Sequence, residues 1–448
     1  MNSAAYDIDP AGNVLCTYTK IKTPDGESIK SEKTHVPLGK AIFYAFLPAG
    51  YPYSVTDDYL HYQLYDSLQA FSSSIASLLA NRAVLEGLGV GNASQSPTGA
   101  LVLKIIQDTF SRMATILFAH RMGQAIEPEC KTYRFMADLF NDSALLLDLL
   151  TPVLPFFPKV CVMVVSSILR ALCGIAANAS KASLSAHFAK TGNLAELNAK
   201  EASQETVISL LGMLAGYAVV HMVQDRTMVL YWMVTLILMH LYMNYQGVRC
   251  VKMLTLNRQR ATIVYREYLH SGKILTPTEV AHRESVLRNV NGQMDSKDGD
   301  YHGYCELGSY GDVMTSKAWG YHAYKFETPD YYMGVWHWRS KFFIRIAMKE
   351  HTHPSTGPLL AWFDAVANAY HFGSALKNGL GSHYENEGPH GYVSAEVKEG
   401  VLQALRNAGW DLDDGQLETS SPIRVRTGGD VKRAPERAAG VVPPSKAD

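Results

Sequence analysis

The amino-acid sequence predicts a mainly α-helical protein: a multi-helix, membrane-associated bundle followed by a small C-terminal α+β domain. Two uncharged apolar runs of 18 residues, Thr206–Val223 and Met228–Tyr245, are the main basis for this prediction. A helix of that length rises about 27 Å, close to the hydrocarbon thickness of a bilayer. The polar residues 224–227 leave room only for a tight reversal between the runs. The runs therefore predict a membrane helical hairpin. The alternative is a hydrophobic helix pair in the core of a soluble protein.

Composition and charge limit the classes of function. The 448 residues include 41 basic and 42 acidic side chains. No net positive field attracts a polyanion, so nucleic acid is not an expected partner. The six cysteines are scattered without a CxxC pair, which is typical of buried thiols in a reducing compartment. The polar N-terminus contains no apolar segment, so neither a secretory signal nor an Arg-rich transit peptide is expected.

Changes in composition divide the chain into four segments. Residues 1–40 are predicted to form an N-terminal extension with a β-hairpin, because alternating stretches flank the turn signal Thr23–Gly26. Residues 41–250 form the helical membrane core, and residues 251–416 form a soluble α+β domain. Residues 417–448 are rich in Pro, Gly, Ser and Arg, which predicts a disordered tail.

Capping and breaking signals place the helices of the core. Thr56 is a predicted N-cap, since two aspartates follow it at the positive end of the first helix. Ser96 and Pro97 open a second helix that runs to about Met122, and a third helix covers 132–150. The first helix is predicted to bury an apolar face with spacings of three and four residues: Leu60, Leu64, Leu68, Phe71, Ile75 and Leu78.

The hairpin carries two further signals. Gly212 and Gly216 form a GxxxG pattern in its first arm, a weak indication of close helix packing. Basic residues precede the hairpin within 181–200 and follow it within 249–260. This distribution predicts that both ends face the cytosol or its topological equivalent.

Charged residues within apolar helices are candidates for function. Such charges are costly in a membrane, and those that occur there are usually functional. Arg112 and Asp142 fall at one level if the second and third helices are antiparallel, so they are predicted to neutralise each other. The alternative for the acidic residues is a solvated face. The candidate intramembrane charges are Lys104, Asp108, Arg112, Asp138, Asp142 and Arg170.

The densest polar motif beside a predicted span is Asn198–Glu205. On a helix three of its side chains share one face, which indicates a site for an anionic ligand or a protein partner at the membrane surface. The alternative is a solvated helix start. The candidate binding residues are Lys200, Ser203, Gln204 and Glu205.

Enzymatic and metal-binding interpretations find little support. The sequence contains no GxSxG, P-loop or HExxH pattern in a fitting context. His351 and His353 form an HxH pair without a third ligand at a characteristic spacing. The glycine-rich stretch 87–91 lacks the preceding strand of a phosphate-binding loop. Lys200 is conceivable as a Schiff-base lysine for pyridoxal phosphate, but spacing alone does not establish it. We therefore expect no catalytic residue, metal or cofactor.

Several motifs in a fixed order resemble the Root UVB Sensitive (RUS) family. The resemblance covers roughly residues 41–290, and Ala408–Asp411 is the clearest match in the C-terminal part. Tyr65, where the family pattern has tryptophan, and the aromatic stretch 301–338, which looks like an insertion, depart from the pattern. The matching motifs are Gly50–Val55, Tyr62–Ala70, Asp108–Arg112, Ala137-Asp138 with Asn141-Asp142, and Asn198-Ala199-Lys200 with Ser203-Gln204-Glu205.

The resemblance implies a protein that is integral to, or tightly associated with, the membrane of an organelle: plastid, mitochondrion or endoplasmic reticulum. Plant members are linked to early seedling development and vitamin B6 homeostasis, and the resemblance implies no reaction. The leading interpretation is a non-enzymatic scaffold or sensor in organelle homeostasis. Its expected partners are membrane lipid and a protein, such as another RUS-family member. The alternative is a small-molecule or ion transporter with charged residues along its path: Lys104, Asp108, Arg112, Asp142 and Arg170.

Overall fold

The protein is mainly helical, with strands at its N-terminus and in a C-terminal sheet region. The structure is a computed structural model. It describes residues 4–8, 12, 14–23, 26–34, 37, 39, 46–89, 97–287, 292–314, 323–339, 341–377 and 395–426.

An antiparallel three-stranded sheet begins the chain. Its strands are β1 (Ala4–Ile8), β2 (Val14–Thr23) and β3 (Gly26–Lys33), and β2 is the central strand. The pairing of β2 with β3 runs from Thr23 opposite Gly26 to Cys16 opposite Lys33. This is the hairpin that the turn signal predicts.

Six long helices follow in the described ranges 46–89 and 97–287. They are α1 (Tyr59–Gly87), α2 (Pro97–Ile126), α3 (Cys130–Leu149), α4 (Phe156–Phe188), α5 (Leu194–Met222) and α6 (Arg226–Cys250). The predicted cap Ser96 lies outside the described residues. The first helix begins at Tyr59, three residues after the predicted cap Thr56, and the residue before it is Asp58. Asp58 does not cap the helix, because its carboxylate binds His187 and the backbone N–H of Lys252 instead.

Helices α5 and α6 are the arms of the predicted hairpin. The reversal between them is short, and Asp225 caps α6 by accepting a hydrogen bond from the backbone N–H of Met228 at 3.0 Å. Both arms pack against α1, while α3 packs against α4, α6 and α1. By length and composition, α4, α5 and α6 are each able to cross a membrane.

The GxxxG pattern lies at the contact between α5 and α1. A Cβ atom at Gly212 would meet the Ser74 side chain at 2.7 Å, and one at Gly216 would meet the Leu78 side chain at 2.6 Å. The two glycines therefore permit a close helix approach, as the pattern suggests.

The predicted apolar face of α1 is only partly buried. Ile75 is buried, but Leu60, Leu64 and Leu68 are exposed. The N-terminal half of the helix turns a polar face inward instead, with Tyr62, Gln63, Gln69 and Ser72 buried. The prediction was wrong for this half because helical periodicity identifies an apolar face, while the neighbouring helices decide which face is enclosed.

The C-terminal part of the chain combines helices with a sheet region, as predicted, and the sheet is mixed. Its helices are α7 (Arg258–Ser271), α8 (Pro277–Arg283), α9 (Tyr310–Met314), α10 (Thr356–Lys377) and α11 (Ala395–Asn407). A capping box forms at the start of α8, where Thr276 and Glu279 bond to each other's backbone N–H. The tightly packed core includes Trp362, Phe363 and Phe342.

The main sheet contains the strands β5 (Gln293–Asp295), β6 (His302–Leu307), β7 (Ala323–Glu327), β8 (Tyr331–Trp338), β9 (Lys341–Lys349) and β11 (Arg424–Val425). Its order is β5-β6-β9-β8-β7, and β11 pairs with one end of β9. Strands β6 and β9 are parallel, whereas β8 is antiparallel to β9. The described part of the aromatic stretch 301–338 contributes three of these strands. A separate parallel pair joins β4 (Thr255–Asn257) to β10 (Asp411–Gln416).

The first residues of the predicted tail belong to this domain. Leu417 is buried in the core, and Arg424 and Val425 pair with β9. Apolar contact and strand pairing therefore hold residues 417–426, despite a composition that is typical of disorder. Residues 427–448 lie outside the described part of the chain.

A buried ionic cluster joins the bundle to the C-terminal domain. Lys131 at the start of α3 places Nζ 2.6 Å from Glu284 Oε2, and Nη1 of Arg260 in α7 lies 2.8 Å from Glu284 Oε1. Burial would raise the pKa of Glu284, but the two cations outweigh burial and lower the pKa. The carboxylate thus stays charged and holds both cations.

Candidate functional site

A buried group of polar side chains occupies the space between α1, α3 and α6. We refer to it as the polar core. It consists of Asp66, Arg134, Asp138, Asp142, His240 and Asn244. Helical spacing explains how each helix contributes, since Arg134, Asp138 and Asp142 follow one another at four-residue intervals along α3. His240 and Asn244 have the same spacing on α6.

Arg134 connects α3 to α1. Its Nη2 donates to Asp66 Oδ1 at 2.7 Å, its Nη1 donates to Asp138 Oδ1 at 3.2 Å, and its Nε donates to the Tyr62 hydroxyl at 3.3 Å. The Arg134 side chain is 11% exposed. A buried guanidinium needs such partners, because removing the charge from water costs several kcal/mol. The planar guanidinium group reaches two carboxylates at once.

His240 connects α3 to α6. Its Nδ1 lies 2.8 Å from Asp142 Oδ2, and its Nε2 lies 3.8 Å from Asp138 Oδ2. Asn244 donates to the same Asp138 oxygen through Nδ2. The imidazole ring is thus held between two carboxylates on one helix, and the polar core ties three helices together.

The charges of the polar core do not balance. Three carboxyl groups face Arg134 and His240, so even a protonated His240 leaves one excess negative charge. Excess charge in a buried site favours the uptake of a proton or a cation. Among the residues that the structure describes, no three His, Cys, Asp or Glu side chains are arranged to hold a metal ion. The polar core is therefore a buried site with excess negative charge, shared by three helices.

The predicted pair of Arg112 and Asp142 does not form. Arg112 is exposed on α2, whereas Asp142 is 2% exposed and is bound to His240. The prediction assumed that α2 is the partner of the acidic stripe on α3, but α6 occupies that position. Sequence periodicity identified the stripe correctly and could not identify the helix opposite it.

The other predicted intramembrane charges lie in separate places. Lys104 and Asp108 pair with each other at 2.9 Å on the exposed face of α2. Arg170 on α4 pairs with Asp148 on α3. Only Asp138 and Asp142 from the predicted set meet in the polar core.

The predicted motif at 198–205 lies in the first turns of α5, but its exposed side chains do not form one open face. Gln204 Nε2 donates to the carbonyl of Phe46 at 2.6 Å, and Glu205 pairs with Lys181 at 3.2 Å. Ser203 is exposed, and Lys200 is half-buried and has a contact of its own. The amide of Gln204 is therefore already used within the protein.

The buried residue of this motif is Glu201. It is 2% exposed, one oxygen accepts a long 3.4 Å bond from the Ser185 hydroxyl, and the other has no partner among the described residues. Unpartnered buried oxygens also occur on Asp58 and Gln63, close to the start of α1. Glu201 was not among the predicted binding residues of this motif. The four-residue spacing from the buried Leu197 was the available signal.

Other members of the site also escaped prediction. Arg134 precedes Asp138 by four residues, and Asn244 follows His240 by four inside a predicted span. These intervals are signals of a shared helix face. Asp66 carried no comparable signal, because its partner Arg134 is 68 positions away.

Two carboxyl groups with shifted pKa values lie at the end of the bundle that faces the C-terminal domain. Burial would raise the pKa of Asp58, but hydrogen bonds from His187 and the Lys252 backbone N–H outweigh it and lower the pKa to about 2. Burial raises the pKa of Glu129 to about 7, and the charge of Arg260 only partly opposes this rise. Glu129 thus titrates near neutral pH.

Comparison with known proteins places this helical region in a family. A family profile described as "Vitamin B6 photo-protection and homoeostasis domain" matches residues 32–272, more than half of the chain. The match includes α1 to α6 and hence every residue of the polar core. No solved structure is similar.

Curated relatives agree with the profile. "RUS family member 1" of Dictyostelium discoideum is 37% identical over 252 residues, which cover 55% of this chain and 47% of the relative. "Protein root UVB sensitive 3" of Arabidopsis thaliana is 35% identical over 252 residues, which cover 55% of this chain and 56% of the relative. The aligned region thus spans about half the length of each relative. The chain belongs to the Root UVB Sensitive family.

Proposed function

We propose that this chain is an integral membrane protein of an intracellular organelle, and that its helical bundle is the membrane part. One observation carries the proposal: the polarity of the bundle is inverted relative to a soluble protein. Arg134, Asp138 and Asp142 are enclosed, while Ile116 is 70% exposed and Leu238 is 63% exposed. Exposed apolar side chains are unfavourable in water and favourable in lipid, and polar groups in lipid must find partners inside the protein.

The exposed apolar side chains form broad outer faces on the bundle. They include residues of α2, α5 and α6 that are not covered by neighbouring helices: Leu101, Ile105, Met113, Leu117, Leu210, Leu214, Tyr217, Tyr231 and Trp232. An apolar area of this extent on a monomeric soluble protein would be an aggregation hazard. Membrane lipid is the partner that suits it, and α4 to α6 have the required length.

The membrane assignment is tested by carbonate extraction of membranes from cells that express the full chain. We expect the protein to stay in the pellet at alkaline pH. Quantitative release into the supernatant would refute an integral membrane protein.

Within the membrane, the proposed role is that of a non-enzymatic scaffold or sensor in organelle homeostasis, linked to vitamin B6 through the family. The polar core supports this role, because its charged groups bind one another across α1, α3 and α6. Such a network sets the arrangement of helices and responds to the gain or loss of a proton. The proposed protein partner is another RUS-family member, and nucleic acid is not a proposed partner. Identification of proteins that co-purify with the full chain tests the scaffold role.

Transport of a proton or small cation is the second candidate. The excess negative charge of the polar core favours it, whereas the predicted path residues Lys104 and Arg112 lie on the exposed face of α2. Flux assays in proteoliposomes separate the two functions. A transporter should lose flux in Asp142→Asn, and a scaffold should show no flux in either form.

A further inference from the structure

A cavity of about 210 Å³ lies in the C-terminal domain, away from the polar core. It opens where the parallel strands β6 and β9 end, near Gly308 and Met348, and the segment 418–423 forms its opposite wall. The carboxyl ends of parallel strands are a common position for ligand sites. Leu417 is buried before this segment and Arg424 pairs with β9 after it, so both ends of the wall are fixed.

Arg258 is a buried cation that lines the cavity. It is only 8% exposed, and its Nε donates to the carbonyl of Leu417 at 2.8 Å. Its guanidinium carbon lies 5.6 Å from the centre of the Trp362 ring. In the described part of the chain, Arg258 forms an ion pair with no carboxylate. A buried guanidinium without a direct counter-charge is costly unless a ligand supplies the charge.

The carboxylates that line the same cavity are already engaged. Glu418 binds Arg424 through both oxygens, at 2.7 and 2.8 Å. Asp312 accepts from the Ser309 backbone N–H at 2.9 Å and from its hydroxyl at 2.7 Å, and Arg345 lies 3.6 Å away. Neither acid is therefore available to Arg258. Burial is the largest influence on the pKa of Arg258 and lowers it, and the neighbouring Cys305 and Glu129 only partly offset this effect.

We propose that this cavity binds a small oxyanion, a phosphate monoester or a carboxylate, on the guanidinium of Arg258. The planar guanidinium presents two parallel N–H donors to an anion of this shape. Contact with the Trp362 ring fixes the orientation of the guanidinium plane. Ser420 and Ser421 also line the cavity, and although the Ser421 hydroxyl oxygen accepts a hydrogen bond from Gln124 Nε2 at 3.1 Å, a hydroxyl keeps its own proton to donate. The site is independent of the proposed membrane role.

The test is calorimetric titration of the full chain in detergent with inorganic phosphate and, separately, with acetate. We expect at least one anion to bind saturably, and the stronger anion identifies the ligand as phosphoryl or carboxylate. Arg258→Gln should weaken binding at least tenfold. Arg266→Gln, which alters a half-exposed arginine elsewhere on α7, should leave binding unchanged.

A second measurement guards against misfolding of the variant. Arg258→Lys keeps the charge but loses the two-donor geometry, so it should bind with an intermediate affinity. Tryptophan emission should change on anion addition in the unaltered chain, because Trp362 contacts Arg258. No saturable binding of either anion, or equal binding by a folded Arg258→Lys and a folded Arg258→Gln, overturns the proposal.

Discussion

Arg134 is the cation that binds two carboxylates of the polar core, Asp66 and Asp138. Replacement by Met keeps the apolar stem and leaves Asp66 and Asp138 buried without their cation. Loss of one partner from a buried ion pair costs about 3–5 kcal/mol. We therefore expect Arg134→Met to lower the free energy of unfolding in detergent by that amount. Arg266→Met, at a half-exposed pair with Asp295, should cost less than about 1 kcal/mol. Equal losses in the two variants would show that the polar core does not stabilise the fold.

The raised pKa of Glu129 predicts that the free energy of unfolding depends on pH. Burial raises its pKa to about 7 in the folded chain, from an ordinary value of 4.5. A folded state that binds a proton more tightly than the unfolded state loses stability as the pH rises between these two values. Stability should therefore fall from about pH 4.5 to pH 7, by up to about 3 kcal/mol.

The matched variant is Glu129→Gln, which keeps the shape and removes the titration. Its free energy of unfolding should exceed that of the unaltered chain at pH 8 and should approach it at pH 4.5. Unfolding curves at several pH values measure the difference. A constant difference across this range would exclude Glu129 as the titrating group.

At the scale of the element, the contact of α5 with α1 depends on two small residues. Gly212→Leu places a branched side chain where a single Cβ already lies 2.7 Å from Ser74 and 2.9 Å from the Phe71 carbonyl. The helices must separate, so we expect a lower thermal midpoint and a loss of more than about 2 kcal/mol.

Gly174 on α4 provides the control, because a Cβ atom there meets nothing within 4 Å. Gly174→Leu should be neutral or slightly stabilising, since leucine favours a helix more than glycine does. If the two leucine variants have the same thermal midpoint of unfolding, the GxxxG pattern has no role in packing.

The helices also differ in how far the sequence predicted them. Two long apolar runs with a four-residue interval determine a helical hairpin almost by themselves, because few other structures accommodate them. The inward face of α1 was not predictable in the same way. Leu60, Leu64 and Leu68 form an ideal apolar stripe, yet Tyr62 and Asp66 face the polar core. The partners of a helix, not its own periodicity, select the enclosed face.

At the scale of the whole molecule, Lys131 and Glu284 hold the bundle and the C-terminal domain together. Lys131 also donates to the carbonyl of Val251 at 2.6 Å. Lys131→Met should leave Glu284 bound to Arg260 alone and loosen the junction. We expect limited proteolysis in residues 251–257 to become several-fold faster, while the carbonate-resistant fraction stays the same. The control is Lys273→Met, which removes an exposed pair with Glu279. This variant should be cleaved at the same rate as the unaltered chain. Unchanged cleavage of Lys131→Met would show that other contacts hold the domains.

The sequence alone determined the helical character of residues 56–250, the hairpin, the sheet-containing C-terminal domain and the family. These features follow from local periodicity, caps and motifs, which act over a few residues. Only the tertiary structure decided which charges meet. His240 reaches Asp142 across 98 positions, and Arg134 reaches Asp66 across 68. Periodicity specifies the face of a helix that carries a charge. The choice among several neighbouring helices depends on the packing of the whole bundle, and no local pattern encodes it.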